Sequence, residues 1–112
     1  MKIYHNPRCG KSREALALLE KQKANIKIIN YIENPLTSNE LSKTIQLLGY
    51  NAEDLIRKNE AIFKEKYKGK SLRETEWVAA MIEHPKLMER PIVIGEKKAV
   101  VARPAEKLLE LL

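Results

Sequence analysis

The chain has 112 residues, 44% of them hydrophobic and 32% charged, with a formal net charge of +6. That is enough for one domain around one modest core, and nothing in it suggests a disordered, collagen-like or disulfide-scaffold protein. Apolar runs are only a few residues long, far short of the roughly 20 that a membrane-spanning helix needs.

Taken in chain order, Lys2-Ile3-Tyr4-His5 is short and β-prone and runs into Asn6-Pro7, which predicts a strand followed by a sharp loop. From Lys11 the pattern turns helical, with Ala15, Leu16, Leu18 and Leu19 at three- and four-residue spacings and the apolar face fading near Lys23. Ile26 to Tyr31 is dense in branched residues, as in a buried strand. The opening therefore reads as a βαβ unit with Cys9 at the helix entrance.

The middle is helical, an insertion expected over about 37–84. Thr37 and Glu40 have capping-box spacing, Leu36 and Leu41 stand where a hydrophobic staple belongs, and Gly49 can end the helix. Asn51 is a cap for a short helix through Leu55 and Ile56. Ser71 and Glu74 repeat the capping-box spacing ahead of Val78, Met81 and Ile82, and Pro85 closes that helix. In the last third, Ile92-Val93-Ile94 and Ala99-Val100-Val101 flank Gly95-Glu96-Lys97-Lys98 as a hairpin. Pro104 suits the first turn of a final helix ending in Leu108, Leu109, Leu111 and Leu112. A βαβ and a ββα unit can share one mixed sheet, so the expectation is a single α/β domain over 1–112.

The chemistry concentrates around His5-Asn6-Pro7-Arg8-Cys9-Gly10-Lys11-Ser12-Arg13. A helix starting near Gly10 aims unpaired N–H groups at the Cys9 sulfur and favours the thiolate. Arg8, Lys11 and Arg13 add positive charge, Gly10 lets the backbone come close, and the Ser12 hydroxyl is a candidate donor to the sulfur. The same amides suit a tetrahedral oxyanion. Because Cys9 is the only cysteine, its oxidised state must be resolved by another molecule.

Spacing disposes of several look-alikes. Gly10-Lys11-Ser12 imitates the end of a phosphate-binding P-loop, but the upstream glycine would fall at His5. Phosphatase chemistry wants an arginine six places after the cysteine, where Ala15 stands, and a thioredoxin-type pair would need a cysteine at Ser12. His5 and Cys9 lack further soft ligands nearby, so no metal is expected. The basic residues are dispersed among acids, and the few aromatics are not grouped with them, so nucleic acid is not the expected partner.

Tyr4-His5-Asn6-Pro7 with Cys9-Gly10 and Ser12-Arg13, Leu55-Ile56-Arg57-Lys58-Asn59, His84-Pro85, Arg90-Pro91-Ile92-Val93 and Arg103-Pro104 form an ordered set along the whole chain. On these residues the sequence resembles the glutaredoxin-coupled arsenate reductase family, which also contains Spx-type regulators. The resemblance implies a thioredoxin-like mixed sheet with a helical insertion, and a cis-proline at Arg90-Pro91 beside the cysteine. It implies that Cys9 attacks arsenate or a similar oxyanion, with Arg57, Arg90 and Arg103 holding it, Ser12 stabilising the thiolate and His5 tuning the site. Glutathione would act as reducing co-substrate and glutaredoxin as the final reductant, with no bound cofactor. The short apolar runs, and an N-terminus that reaches Pro7-Arg8-Cys9 before any signal-peptide core could develop, predict a cytoplasmic protein away from membranes, and a monomer is expected. Guanidinium groups suit such oxyanions.

Two other functions lie close by. Spx-like regulators dock on RNA polymerase, but their best-known members switch through a cysteine pair that Ser12 precludes. Cys9-Gly10-Lys11-Ser12 is close to the Cys-Gly-Phe-Ser of monothiol glutaredoxins, whose late double-glycine glutathione site is missing here. A thiol oxidoreductase of the same family with another substrate is the nearest alternative, since Arg8 and Lys11 stand where efficient arsenate reducers usually carry small or neutral residues.

Overall fold

The structure is a computed structural model that describes residues 1–22 and 25–112. It divides into two compact units, one of Met1–Asn34 with Arg90–Leu112 and one of Pro35–Glu89.

The first unit is built on a four-stranded mixed sheet. Strands β1 (Lys2–His5), β2 (Lys27–Asn30), β3 (Ile92–Ile94) and β4 (Ala99–Val101) lie in the order β2-β1-β3-β4, with helix α1 (Gly10–Lys21) crossing from β1 to β2. The β1–β2 pair is parallel, as a helical crossover requires, and β1–β3 and β3–β4 are antiparallel. This is the thioredoxin-like arrangement expected from the sequence. Ile3, Ala15, Leu19, Val93, Ala102, Ala105 and Leu108 form its core between the sheet, α1 and the chain end. The apolar pattern of α1 was expected to fade near Lys23, which lies outside the described residues; the helix itself ends at Lys21.

One expectation is corrected in this unit and another refined. The branched run at 26–31 predicts a buried strand, but among the described residues β2 is an edge strand paired with β1, and Ile28 is 51% exposed. The apolar chain end predicts a final helix, and Ala105–Leu111 forms one of the 3₁₀ type. Ala105 and Leu108 are buried and Leu111 half-buried, while Leu109 and Leu112 are exposed. A three-residue apolar stripe is what a helix with three residues per turn places on one side.

The second unit holds α2 (Ser38–Leu48), α3 (Ala61–Lys66) and α4 (Glu74–Glu83), with 3₁₀ turns at Ala52–Leu55 and Pro85–Leu87. The helices expected over 37–84 fall within it. Thr37 and Glu40 form the reciprocal capping box: the Glu40 N–H donates to Thr37 Oγ1 (3.1 Å) and the Thr37 N–H to Glu40 Oε1 (3.0 Å). Gly49 ends α2 at φ 72°, the left-handed conformation that glycine adopts without cost. Thr37→Ala is expected to lower stability by about 1 kcal/mol, measured as a shifted urea midpoint at unchanged slope.

The second capping box is corrected. Residue Arg73, not Ser71, caps α4, and its N–H donates to Glu76 Oε1 (3.0 Å). Glu74 instead accepts the Ala52 N–H with both carboxylate oxygens, at 2.7 and 2.8 Å. Phe63, Trp77, Tyr67 and His84 follow one another in ring contact with centroids 6.2–6.3 Å apart, so His84 belongs to an aromatic cluster.

Candidate active site

The site begins where β1 runs out. Asn6-Pro7 turns the chain, and the turn closes when the Cys9 N–H donates to the Asn6 carbonyl (3.0 Å). The Asn6 side chain braces it by accepting the Arg8 N–H (3.0 Å). Cys9 is then the N-cap of α1, with extended backbone at φ −98° and ψ 121°, and its carbonyl accepts the first helical bond from the Arg13 N–H (3.0 Å). A cap residue offers its side chain to the amides two and three places on. Here that side chain is a half-buried thiol.

Burial alone would raise the Cys9 pKa. The Ser12 backbone N–H, the hydrogen bond and charge of the Arg90 guanidinium, and the Lys11 backbone N–H together outweigh it and hold the thiol below its ordinary value. The sulfur is thus biased to thiolate by the helix start and by one arginine from a distant part of the sequence. Register explains the meeting. Tyr4 pairs with Ile92 across antiparallel β1 and β3, so residues just ahead of β3 arrive at the end of β1. Arg90 stands two places before Ile92. Its peptide to Pro91 is cis, as expected, and so is Arg103-Pro104.

Ser12 is engaged differently from the expectation. Its hydroxyl is fully buried, accepts the Asn6 N–H (3.0 Å) and is hydrogen-bonded to His5 Nδ1 (2.7 Å); its backbone N–H is the group that favours the thiolate. Ser12 therefore ties α1 to the end of β1 as well as polarising the sulfur. His5, 7% exposed, sits behind it. Burial lowers its pKa first and the charge of Arg13 second, while the Ser12 contact works the other way.

That shift has a testable consequence. A base whose folded pKa is depressed binds fewer protons folded than unfolded, so its contribution to stability is intact above the unfolded value near 6.5 and is lost as pH falls through the folded value. Stability is expected to drop as pH is lowered below about 6.5, and His5→Gln to flatten that part of the profile; thermal melts across the range read both.

Gly10 is not required by packing, since an added Cβ would meet only Arg13 Nη2, at 3.8 Å. The helix start is open on that side. Arg103 is half-buried in the same unit, just beyond β4. Arg57 belongs to the second unit, where it is half-buried and pairs with Glu60 (3.0 Å). The geometry therefore joins His5, Cys9, Gly10, Ser12 and Arg90 in one place. The residue the sequence reading passed over is Asn6, which fixes both the turn and the Ser12 hydroxyl; its signal was the Asn-Pro pair itself. Among the described residues no group of three or more His, Cys, Asp or Glu could hold a metal ion, and no helix is long and apolar enough to cross a membrane.

Comparison with known proteins matches residues 4–111 to the ArsC family. The uncharacterized protein YfgD of Escherichia coli K12 is 43% identical, over 99% of this chain and 95% of its own. An arsenate reductase of Haemophilus influenzae is 39% identical, over 98% and 97%. Among solved structures, an arsenate reductase from Vibrio cholerae superposes with a TM-score of 0.94 at 46% identity, covering 100% of this chain and 98% of that one.

Proposed function

This chain belongs to the ArsC family, and on that premise we propose that it is an arsenate reductase in which the Cys9 thiolate attacks an arsenate oxyanion. The observation that carries the reading is the Cys9–Arg90 contact at the start of α1: one spot offers an activated sulfur, backbone N–H groups and a guanidinium.

In the first step the Cys9 sulfur forms a bond to arsenic, and one arsenate oxygen leaves as water after protonation. Arg90 donates to the oxyanion while its charge offsets the negative charge of the adduct. Arg103 and Arg57 are assigned the same work by family likeness. An external thiolate, for which glutathione is the candidate, then attacks the Cys9 sulfur. A disulfide forms, the S–As bond breaks, and its electron pair stays on arsenic, which passes from As(V) to As(III) and leaves as arsenite. The chain has no second cysteine, so the mixed disulfide is reduced by another protein, for which glutaredoxin is the candidate. His5 and Ser12 position the loop and the helix start around the sulfur. The cycle needs no bound cofactor, and a reducing cytoplasm would keep Cys9 a thiol between turnovers.

The deciding experiment is arsenite production from arsenate with glutathione, glutaredoxin and an NADPH-linked reductase. Arsenite that depends on all components supports the reading. Its absence, with Cys9 verified as reduced, overturns it.

A further inference from the structure

Two exposed cationic side chains flank Cys9 in the chain. Arg8 stands in the Asn6–Cys9 turn with its side chain exposed, and among the described residues no acidic group pairs with it. Lys11, in the first turn of α1, lies 3.8 Å from Glu14, and both side chains are exposed. Such a pair is weak and gives way readily. The first turn of α1 contains no acidic residue. Helix starts favour acids there, because the macrodipole puts positive charge at that end. Positive side chains around this one work against the stability of the helix, and a local rule broken without structural compensation is expected where a ligand supplies the missing charge.

The ligand in question is the second reactant. Cys9 is half-buried and Arg90 partly buried, whereas Arg8 and Lys11 are exposed on either side of Cys9 in the chain. Arg8 and Lys11 thus present charge to solvent beside the residue that an incoming thiol must reach. We propose that Arg8 and Lys11 dock the carboxylates of a small anionic thiol, and so make Cys9 select anionic over neutral or cationic thiol partners. The inference rests on the reading of Cys9 as a nucleophile resolved by an external thiol, and not on arsenate being the oxyanion.

Thiol–disulfide exchange isolates this step. The Cys9 thiolate attacks a disulfide R–S–S–R, a Cys9–S–S–R bond forms, and one R–S⁻ leaves. Rates would be measured with anionic glutathione disulfide, neutral hydroxyethyl disulfide and cationic cystamine, for the natural chain and for Arg8→Gln/Lys11→Gln. The neutral disulfide reads thiol activation, to which the Lys11 backbone N–H contributes, so the rates with the two charged disulfides are compared with it. The preference for glutathione disulfide over cystamine should fall on the order of tenfold, and added salt should erase it in the natural chain. Lys97→Gln/Lys98→Gln, in the β3–β4 turn, removes the same net charge at the other end of the strands and should leave the preference intact.

An unchanged preference in the Arg8/Lys11 variant overturns the proposal, as does an equal loss in the Lys97/Lys98 variant. A parallel fall with all three disulfides also overturns it, since that marks a role in thiol activation. If no arsenite forms but the charge preference behaves as described, the arsenate reading fails and the docking site stands. If Cys9 reacts with none of the disulfides, both fail.

Discussion

Cys9→Ser is expected to abolish arsenite formation, with a loss of at least about 10³-fold in kcat. Serine keeps the size and the N-cap position, so the Asn6–Cys9 turn and the start of α1 should persist and circular dichroism should be unchanged. What disappears is the thiolate. A hydroxyl with its far higher pKa is not ionised by two amides and a guanidinium, and it cannot form the disulfide that carries two electrons to arsenic. Because the chain has a single cysteine, no other residue substitutes. Residual turnover within tenfold of the natural chain would mean that the chemistry lies elsewhere in the molecule.

Removing Arg90 should have the next largest effect, through two separable routes. The first is activation. The Arg90 guanidinium lowers the Cys9 pKa by a hydrogen bond and by its charge, so Arg90→Gln raises it, and the thiolate fraction at any fixed pH near neutrality falls. The sign is fixed by the charge: the thiolate is the basic form, and taking away a neighbouring cation destabilises it. The acid limb of the pH–rate profile should therefore move to higher pH, and thiolate absorbance near 240 nm, about the usual position for this chromophore, should titrate along with it. The second route is stabilisation of the oxyanion and adduct, worth on the order of 10²-fold when one charged donor is lost. Raising the pH restores the first contribution but not the second. Full recovery of activity at high pH would confine Arg90 to thiol activation, and an unmoved acid limb would refute the contact. Arg90→Lys keeps the charge without the planar fork, so it should recover more of the pKa than of the rate.

The capping signals show how far local pattern reaches. Thr37 and Glu40 read as a capping box and form one in both directions. Ser71 and Glu74 have the same spacing and do not. What separates the cases is a partner in another element: the Ala52 N–H takes both oxygens of Glu74, and the helix start settles on Arg73 and Glu76. The leucine-rich chain end is a similar case. Four leucines promise an apolar helix, but which of them turn inward is set by the core they meet, and Ala105, Leu108 and Leu111 meet it at a spacing of three.

Of the site, the sequence by itself determined the setting of Cys9. A lone cysteine between a β-prone tetrapeptide and an amphipathic helix, after Asn-Pro and before Gly, can hardly fold into anything but a helix cap, and helix caps are local structures. Ser12 and His5 were also legible as neighbours of the sulfur. Only the tertiary structure decided how they act, turning the Ser12 hydroxyl toward His5 and Asn6 and leaving its backbone N–H to the sulfur. It also brought Arg90 to the sulfur, because the antiparallel register of β1 with β3 delivers that residue to the end of β1. Such convergence depends on strand order and register, which long-range pairing fixes and no local pattern encodes.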